Sequence, residues 1–222
     1  MTERRWQRIL QVLSRRQPDL TVLAEAVHKP HNLSAILRSC DAVGIGCVHA
    51  VNPTGGVPTY SETSASADKW VELVVHPTLE AAIAHLRAQN LQLLAAHLSS
   101  TALDYREVDY TRPTGIIVGN EKSGVSETAA ALADHHIQIP MLGMVPSLNV
   151  SVATAVILFE AQRQRLQAGL YAQPRLSPEQ MARQAFAWLY PEEAAQYQQT
   201  GQPFPDLDTL RARVVGVSPA PP

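Results

Sequence analysis

The chain has 222 residues, 45% hydrophobic and 17% charged, which fits one α/β domain with terminal extensions and excludes an intrinsically disordered protein. No apolar run reaches the roughly 18 residues of a membrane span, and the first residues lack a signal-peptide core, so we expect a soluble cytoplasmic protein. The net charge of −2 excludes a generally basic protein, but residues 1–16 contain five arginines against one acid, Glu3. That local excess fits either a phosphate-binding patch or an ordinary solvated helix face.

Helices and strands are predicted to alternate along most of the chain. The first predicted elements are a helix at 3–15, a strand at 20–27, a helix capped by Asn32 or Ser34 and ended by Gly44, a strand at 47–51, a Pro-, Gly-, Ser- and Thr-rich loop at 52–68, and a strand near 71–75. The next are a helix at 79–89, strands at 91–98 and 115–119, a short helix capped by Ser126, a strand at 137–139, and a long helix capped by Ser147 or Asn149 that ends near Gly169.

The C-terminal part has a different character. Ser177-Pro178-Glu179-Gln180 has the residue types of a helix start with a capping box, and that helix should end near Tyr190. Beyond Gly201 the chain is rich in proline, and we expect it to be loosely packed. We therefore predict a basic helical extension at 1–19, a catalytic domain at 20–172, and a helical extension with a Pro-rich tail at 173–222.

The alternation itself predicts an α/β fold with a mostly parallel sheet and helices on both faces. The segment 115–119 is apolar throughout, as in parallel strands that are covered on both sides.

Three segments carry candidate chemistry, and the first is HNLSAILRSCDAVG. On a helix, Ser34, Arg38 and Asp41 fall on the face opposite the apolar stripe, so Arg38 points outward. The alternative is an exposed arginine that pairs with Asp41, which would contribute only about 0.2–0.5 kcal/mol.

The second segment, IIVGNEKSGVS, runs from an apolar strand through Gly119, Asn120 and Glu121 into a capped helix. Open α/β sheets bind ligands at such junctions, although a tight turn without a ligand would have the same pattern. A P-loop is excluded because Lys122-Ser123 precedes Gly124 instead of following a glycine, and no GxGxxG dinucleotide fingerprint occurs in the chain.

The third segment joins a strand to a long apolar helix through the loop MLGMVPSLN. Ser147 and Asn149 lie at the start of that helix, where they could do no more than cap it. Capping does not explain why the loop is rich in Met, Leu and Val, which suit the wall of an adenine pocket. No metal site is predicted: His28 and His31 lack partners at metal-ligand spacing, and Cys40 and Cys47 lack the spacing of a disulfide or metal site.

Together and in this order, the three segments resemble the motifs of the SpoU/TrmH class of SPOUT RNA methyltransferases. The segments RRQPDLTV and DYTRPTGIIVGNEKSG extend the resemblance, which covers about residues 4–172 and is strongest to the tRNA guanosine-18 2′-O-methyltransferases. It implies a C-terminal trefoil knot, a homodimer with a shared active site, S-adenosylmethionine as cofactor, and tRNA as substrate.

The resemblance also assigns residues. The implied catalytic residues are Asn32, Arg38, Glu121, Ser147 and Asn149; the implied cofactor-binding residues are Ala96, Gly119, Ile139, Met144 and Leu148; and the implied RNA-binding residues are Arg5, Arg8, Arg16, His31, Arg163 and Arg165. One departure is Pro146, where the family pattern has glutamine, and proline lacks the backbone N–H.

A guanidinium stays protonated at neutral pH, so Arg38 is better suited to a two-pronged grip on a phosphate than to act as a base. Three other functions stay open from the sequence: 2′-O-methylation at another tRNA or rRNA position, a noncatalytic RNA-binding module of the same fold, and, more remotely, a nucleotide hydrolase. Binding of S-adenosylmethionine separates the methyltransferases from the noncatalytic module, and phosphate release would identify a hydrolase.

Overall fold

The computed structural model of the chain describes residues 2–51 and 69–216. The predicted loop at 52–68 and the last residues of the tail, 217–222, lie outside the described residues. The chain divides into two compact units, one formed by residues 18–168 and the other by the described parts of residues 1–17 and 169–222.

Residues 18–168 are built around a parallel sheet. Its described strands are β1 Leu20–Glu25, β2 Cys47–Val51, β3 Glu72–His76, β4 Gln92–Ala96, β5 Leu103–Asp104, β6 Thr114–Val118 and β7 His135–Gln138. They lie in the order β3-β2-β1-β6-β4-β7-β5, and every neighbouring pair is parallel. The carboxyl ends of these strands therefore meet at one edge of the sheet.

Helices cover both faces of this sheet, as predicted. Helices α2 (Pro30–Ala42) and α5 (Val150–Gln167) share one apolar core with the strands, in which Ile36 and Leu158 are fully buried. Helices α3 (Leu79–Ala88) and α4 (Glu127–Leu132) share the core on the other face, around Leu86 and Ala129. The prediction of an α/β fold with a covered parallel sheet is confirmed.

The second unit contains helices from both ends of the chain: α1 Glu3–Leu13, α6 Pro178–Leu189, α7 Pro191–Thr200 and α8 Leu207–Val215. Trp6, Phe186 and Leu210 lie in its single core, so the two terminal segments form one body rather than two separate extensions. For residues 202–216, the prediction that the chain is loosely packed beyond Gly201 is wrong, because Asp206 caps α8 and Leu210 and Val214 bury its inner face.

In the part of the chain that the structure describes, no helix is long and apolar enough to cross a membrane. The same residues contain no group of three or more His, Cys, Asp or Glu side chains arranged to hold a metal ion.

Three histidines contact one another where β2, β3 and α3 meet. His49 Nδ1 lies 2.9 Å from His76 Nε2, and the ring of His85 lies 5.2–5.3 Å from both of theirs, centroid to centroid. His49 is only 3% exposed, and burial, reinforced by repulsion from His76 and His85, lowers the pKa of His49 to about 4. The folded chain therefore holds His49 neutral at pH 7.

This cluster predicts that the protein loses stability on mild acidification. His49 takes up a proton near pH 6.5 in the unfolded chain but only near pH 4 in the folded chain. Protonation therefore favours the unfolded chain between these values: the free energy of unfolding has its full value above pH 6.5 and decreases as the pH falls toward 4. We expect the free energy of unfolding to fall by about 1–2 kcal/mol between pH 7 and pH 5 through this residue. Urea unfolding of His49→Gln should show a flatter pH dependence, whereas His135→Gln, at an exposed histidine, should keep the original one.

Candidate active site

Three of the predicted cofactor-binding residues lie at neighbouring strand ends. Ala96 is the last residue of β4, Gly119 directly follows β6, and Ile139 directly follows β7. Because β4 pairs with β6 on one side and β7 on the other, these residues lie side by side on the carboxyl edge of the sheet. Ligands of open parallel sheets bind at this edge.

Helix α2 leaves the same edge directly after β1. Its N-cap is Lys29 and its first residue is Pro30, which suits the first turn because the N–H there has no helical partner. The prediction that Asn32 or Ser34 caps the helix is wrong, since both lie inside it and are buried. Ser34 consequently does not share the exposed face of Arg38.

The three motifs meet in a chain of side-chain hydrogen bonds. Asn32 Nδ2 donates to Glu121 Oε1 over 2.8 Å, and Asn149 Nδ2 donates to Asn32 Oδ1 over 3.2 Å. The Glu121 carboxylate only accepts hydrogen bonds when it is ionised, so it fixes which way the Asn32 amide faces. Residues separated by 89 and 117 positions in sequence are thus placed in one polar network.

The Glu121 carboxylate is held ionised. Partial burial alone would raise the pKa of this carboxyl, but hydrogen bonds from the Asn32 amide and from backbone N–H groups, including that of Lys29, outweigh burial and lower the pKa below its ordinary value. The Lys29 N–H lies 3.2 Å from Oε1. A negative charge is therefore present at the start of α2 at neutral pH.

Asn149 both caps α5 and joins the network. Its Oδ1 accepts from the backbone N–H and the hydroxyl of Ser151, at 2.9 and 2.7 Å, while its Nδ2 donates to Asn32. The sequence left open whether Asn149 only caps the helix. In the structure its side-chain oxygen caps α5, and its side-chain nitrogen contacts the first motif through Asn32.

The loop after β6 folds back on itself and leaves no room for a side chain at position 119. A Cβ on Gly119 would lie 2.0 Å from the carbonyl oxygen of Gly124. Asn120 and Gly124 exchange backbone hydrogen bonds of 2.9 and 2.8 Å, and Gly124 has a φ of +71°. The tight turn expected as an alternative is therefore present, and it carries Glu121 into the network.

Other predicted site residues lie outside this network. Arg38 is exposed, and its guanidinium makes no hydrogen bond or ion pair with any residue that the structure describes. Ser147 is exposed as well, and Met144 is 100% exposed, so in a single chain its loop does not wall a pocket. Leu148 is half-buried beside Asn149.

The predicted RNA-binding residues divide by exposure. Arg5, Arg8, His31 and Arg163 are exposed on the surfaces of their units.

Arg16 and Arg165 are buried instead, so the structure contradicts direct RNA contact for both. The Arg16 guanidinium lies 5.3 Å from the centroid of the Trp188 ring. Arg165 is 0% exposed and bonds to Asp19 and to the carbonyls of Tyr110 and Arg112, so its donors are used inside the core.

Sequence reasoning missed Glu25 and gave no role to Asn120, although both hold this site. Glu25, at the end of β1, accepts hydrogen bonds from Ser126, and Asn120 Nδ2 donates to the carbonyl of Ala26 over 3.0 Å. The signal for Glu25 was available, because it is an ionisable residue at the end of the apolar strand LTVLAE.

Comparison with known proteins gives a consistent result. Residues 19–159 match the family model described as the SpoU rRNA Methylase family, and residues 163–210 match that of the SpoU rRNA methylase C-terminal region. A tRNA (guanosine(18)-2′-O)-methyltransferase of Thermus thermophilus is 64% identical over 188 residues, which cover 85% of this chain and 97% of the relative.

Two solved structures are also similar. The A. aeolicus TrmH/SpoU tRNA modifying enzyme superposes with a TM-score of 0.81 and 41% identity, covering 86% of this chain and 97% of that chain. A SpoU methyltransferase from Streptomyces viridochromogenes, in complex with the cofactor AdoMet, gives a TM-score of 0.60 and 28% identity, covering 68% of this chain and 62% of that chain.

Proposed function

Because the chain belongs to the SpoU family of RNA methylases, we propose that it transfers a methyl group from S-adenosylmethionine to the ribose 2′-oxygen of guanosine 18 in tRNA. The observation that carries the proposal is the hydrogen-bonded chain of Asn149, Asn32 and Glu121, which unites the three motifs at the ligand edge of the sheet. The identity and coverage of the relatives named for this activity support the choice of nucleotide.

The residues at the strand ends suit a bound adenosine. Ala96 and Ile139 are half-buried and apolar, and Gly119 lies beside them, directly after the neighbouring strand β6. We assign Ala96, Gly119, Ile139, Met144 and Leu148 to holding S-adenosylmethionine, which would supply an electrophilic methyl group on its sulfonium. The related structure in complex with AdoMet supports this cofactor.

The chain's own contribution to the reaction is orientation and charge. Asn32, held by Glu121 and Asn149, is rigid enough to orient the substrate, and aligned reactants can save about 7–11 kcal/mol of the barrier at best. Arg38 is available on the outer face of α2 to grip the phosphate of the target nucleotide and to stabilise the developing alkoxide. The proton of the 2′-hydroxyl then leaves to a phosphate oxygen or to water, and we place Ser147 beside the ribose.

The strand order supports the proposal of a trefoil knot. Strand β6 enters between β1 and β4, and β7 enters between β4 and β5, so the later part of the chain is inserted among strands that precede it in sequence. We assign catalysis to the unit of residues 18–168 and place the enzyme in the cytoplasm. Cys40 and Cys47 form no disulfide, which agrees with that compartment.

Exposed arginines of α1 are proposed to bind tRNA phosphates. Replacing Arg5 or Arg8 with alanine should weaken tRNA binding and reduce the slope of log affinity against log salt by about 0.7–0.9 for each lost contact. Filter binding at several salt concentrations measures both quantities. Arg211→Ala, at an exposed arginine of α8 in the same unit, should leave the slope unchanged. An equal loss in all three variants would contradict a specific role for α1.

We propose that two copies of the chain form a homodimer through the outer face of α5. Val152, Phe159 and Leu166 follow one another at intervals of seven residues and are 48%, 50% and 55% exposed, which makes an apolar stripe along the helix. An exposed stripe of this kind typically packs against another chain. A second copy would also bring further residues to a site that Arg38 and Ser147 of one chain leave open.

Phe159→Glu should therefore convert the dimer to monomers and lower methyl transfer. A buried carboxylate at the centre of an apolar interface is costly because it loses its hydration without gaining a partner. Sedimentation velocity at micromolar concentration checks the assembly. Val75→Glu introduces the same charge at a half-exposed valine of β3 and should leave the dimer intact. A monomeric unsubstituted protein would contradict the proposal.

The test of the proposed function is transfer of labelled methyl from S-adenosylmethionine to an unmodified tRNA transcript and to a transcript with guanosine 18 replaced. Label in the first transcript alone is expected. Equal label in both would move the target to another nucleotide. No label in either, together with no binding of S-adenosylmethionine, would favour the noncatalytic RNA-binding module.

A further inference from the structure

A buried carboxylate lies next to the site without belonging to the network described above. Glu25 ends β1 and is 5% exposed, and carboxylates are almost never this buried unless they are paired. Both of its oxygens accept hydrogen bonds from Ser126: Oε2 from the backbone N–H at 2.9 Å, and Oε1 from the hydroxyl at 2.5 Å.

This pairing fixes the end of the loop that carries Glu121. The Ser126 hydroxyl donates to Glu25 and at the same time accepts from the backbone N–H of Ala129 at 3.1 Å, which caps α4. Its proton position is thereby determined, and the first turn of α4 is attached to the last residue of β1.

The start of the same loop is attached to Ala26, the residue directly after β1. Asn120 Nδ2 donates to the carbonyl of Ala26, whose φ of 51° is unusual for a residue other than glycine. Asn120 Oδ1 accepts from the backbone N–H of Lys122 at 2.7 Å. Two consecutive residues, Glu25 and Ala26, therefore hold both ends of the loop.

Glu121 lies on this loop between the two attachments, and its carboxylate meets Lys29 and Asn32 a few residues after Ala26. We infer that Glu25 is a positioning residue for methyl transfer, because its bonds to Ser126 hold Glu121 where that carboxylate orients Asn32. This inference rests on the proposed function. It assigns Glu25 no contact with the substrate or the cofactor.

The first test is Glu25→Gln, with Glu127→Gln as the matched control at an exposed glutamate, the first residue of α4. Glutamine retains one acceptor oxygen but turns an amide N–H toward a donor of Ser126. We expect kcat to fall about tenfold or more while KM for tRNA stays within about twofold, because small displacements of catalytic groups cost rate more than affinity. The control should retain both values.

A double-mutant cycle separates positioning from general loss of stability. If Glu25 acts through Glu121, the Glu25→Gln/Glu121→Gln variant should have the kcat of Glu121→Gln alone, within about twofold. Multiplied losses, or an unchanged kcat in Glu25→Gln, would overturn the inference. Ser126→Ala removes the hydroxyl that donates to Glu25 and caps α4 but keeps the backbone N–H bond to Glu25, and it gives the same cycle if Glu25→Gln does not fold.

Amide hydrogen exchange gives a second readout that does not depend on methyl transfer. Glu25→Gln should accelerate exchange within residues 119–126 while the exchange of β2 and α3 stays unchanged. Slow exchange throughout the loop would contradict the role of Glu25 even if the unsubstituted protein transfers no methyl group. Failure of the inference and failure of the proposed function are thus distinguishable.

Discussion

Replacing Asn32 with aspartate should reduce methyl transfer by about 10²–10³-fold at pH 7.5, the loss typical of removing one preorganised polar group from an active site. The amide nitrogen that now lies 2.8 Å from Glu121 Oε1 would become a carboxylate oxygen. Two carboxylates at this separation repel unless they share a proton. The loss should therefore shrink as the pH is lowered, because a shared proton restores a donor between positions 32 and 121.

Two further variants show whether the network itself is responsible. Asn32→Asp combined with Glu121→Gln again pairs an amide with a carboxylate and should recover part of the lost rate. No recovery would mean that Glu121 contacts the substrate instead of holding Asn32. Asn90→Asp makes the same chemical change at an exposed position before the start of β4, at the opposite edge of the sheet from the site, and should have no effect on rate.

Replacing Arg165 with alanine should destabilise the protein by about 3–5 kcal/mol, the range observed when one partner of a buried ion pair is removed. The guanidinium donates to Asp19 Oδ1 at 2.7 Å, to the carbonyl of Tyr110 at 2.8 Å and to that of Arg112 at 3.0 Å. These bonds join the end of α5 to the segments before β1 and β6. The substitution removes the hydrogen bonds that the Asp19 carboxylate and the two carbonyls accept from Arg165.

The matched control is Arg163→Ala, two residues earlier on the same helix. Arg163 is exposed and pairs with Glu160 at 2.7 Å, and a surface ion pair of this kind contributes little to stability. Urea unfolding should therefore separate the two variants clearly. We expect Arg163→Ala to weaken tRNA binding instead, and a stable Arg165→Ala variant with weakened tRNA binding would reverse these assignments.

Local sequence patterns predicted helices and strands best where the apolar spacing and the capping residues were not interrupted by prolines. Strand β2 was predicted at 47–51 and is found there, and Ser126 caps α4 as expected. Helix α8 was missed because the prolines around it dominated the composition, although Leu207, Leu210 and Val214 have helical spacing. The order of the strands could not be predicted, because it depends on which pairs meet across the chain.

The site illustrates the same limit. Asn32, Glu121 and Asn149 were predicted together from the family resemblance, while their hydrogen bonds depend on contacts across 89 and 117 residues. Arg163 and Arg165 are indistinguishable in sequence as basic residues of one helix. Only the fold shows that one faces solvent and the other is enclosed beside Asp19.

Helix α5 has a consequence for how the protein should respond to its ligands. Its 18 residues form a rod of about 27 Å that starts at Asn149 in the polar network, carries the apolar stripe along its outer side, and is anchored by Arg165 near its end. We expect a ligand that orders the first turn of α5 to favour association of two copies through the same helix. Such linkage is reciprocal, so S-adenosylmethionine should strengthen association by the same factor by which association strengthens its binding.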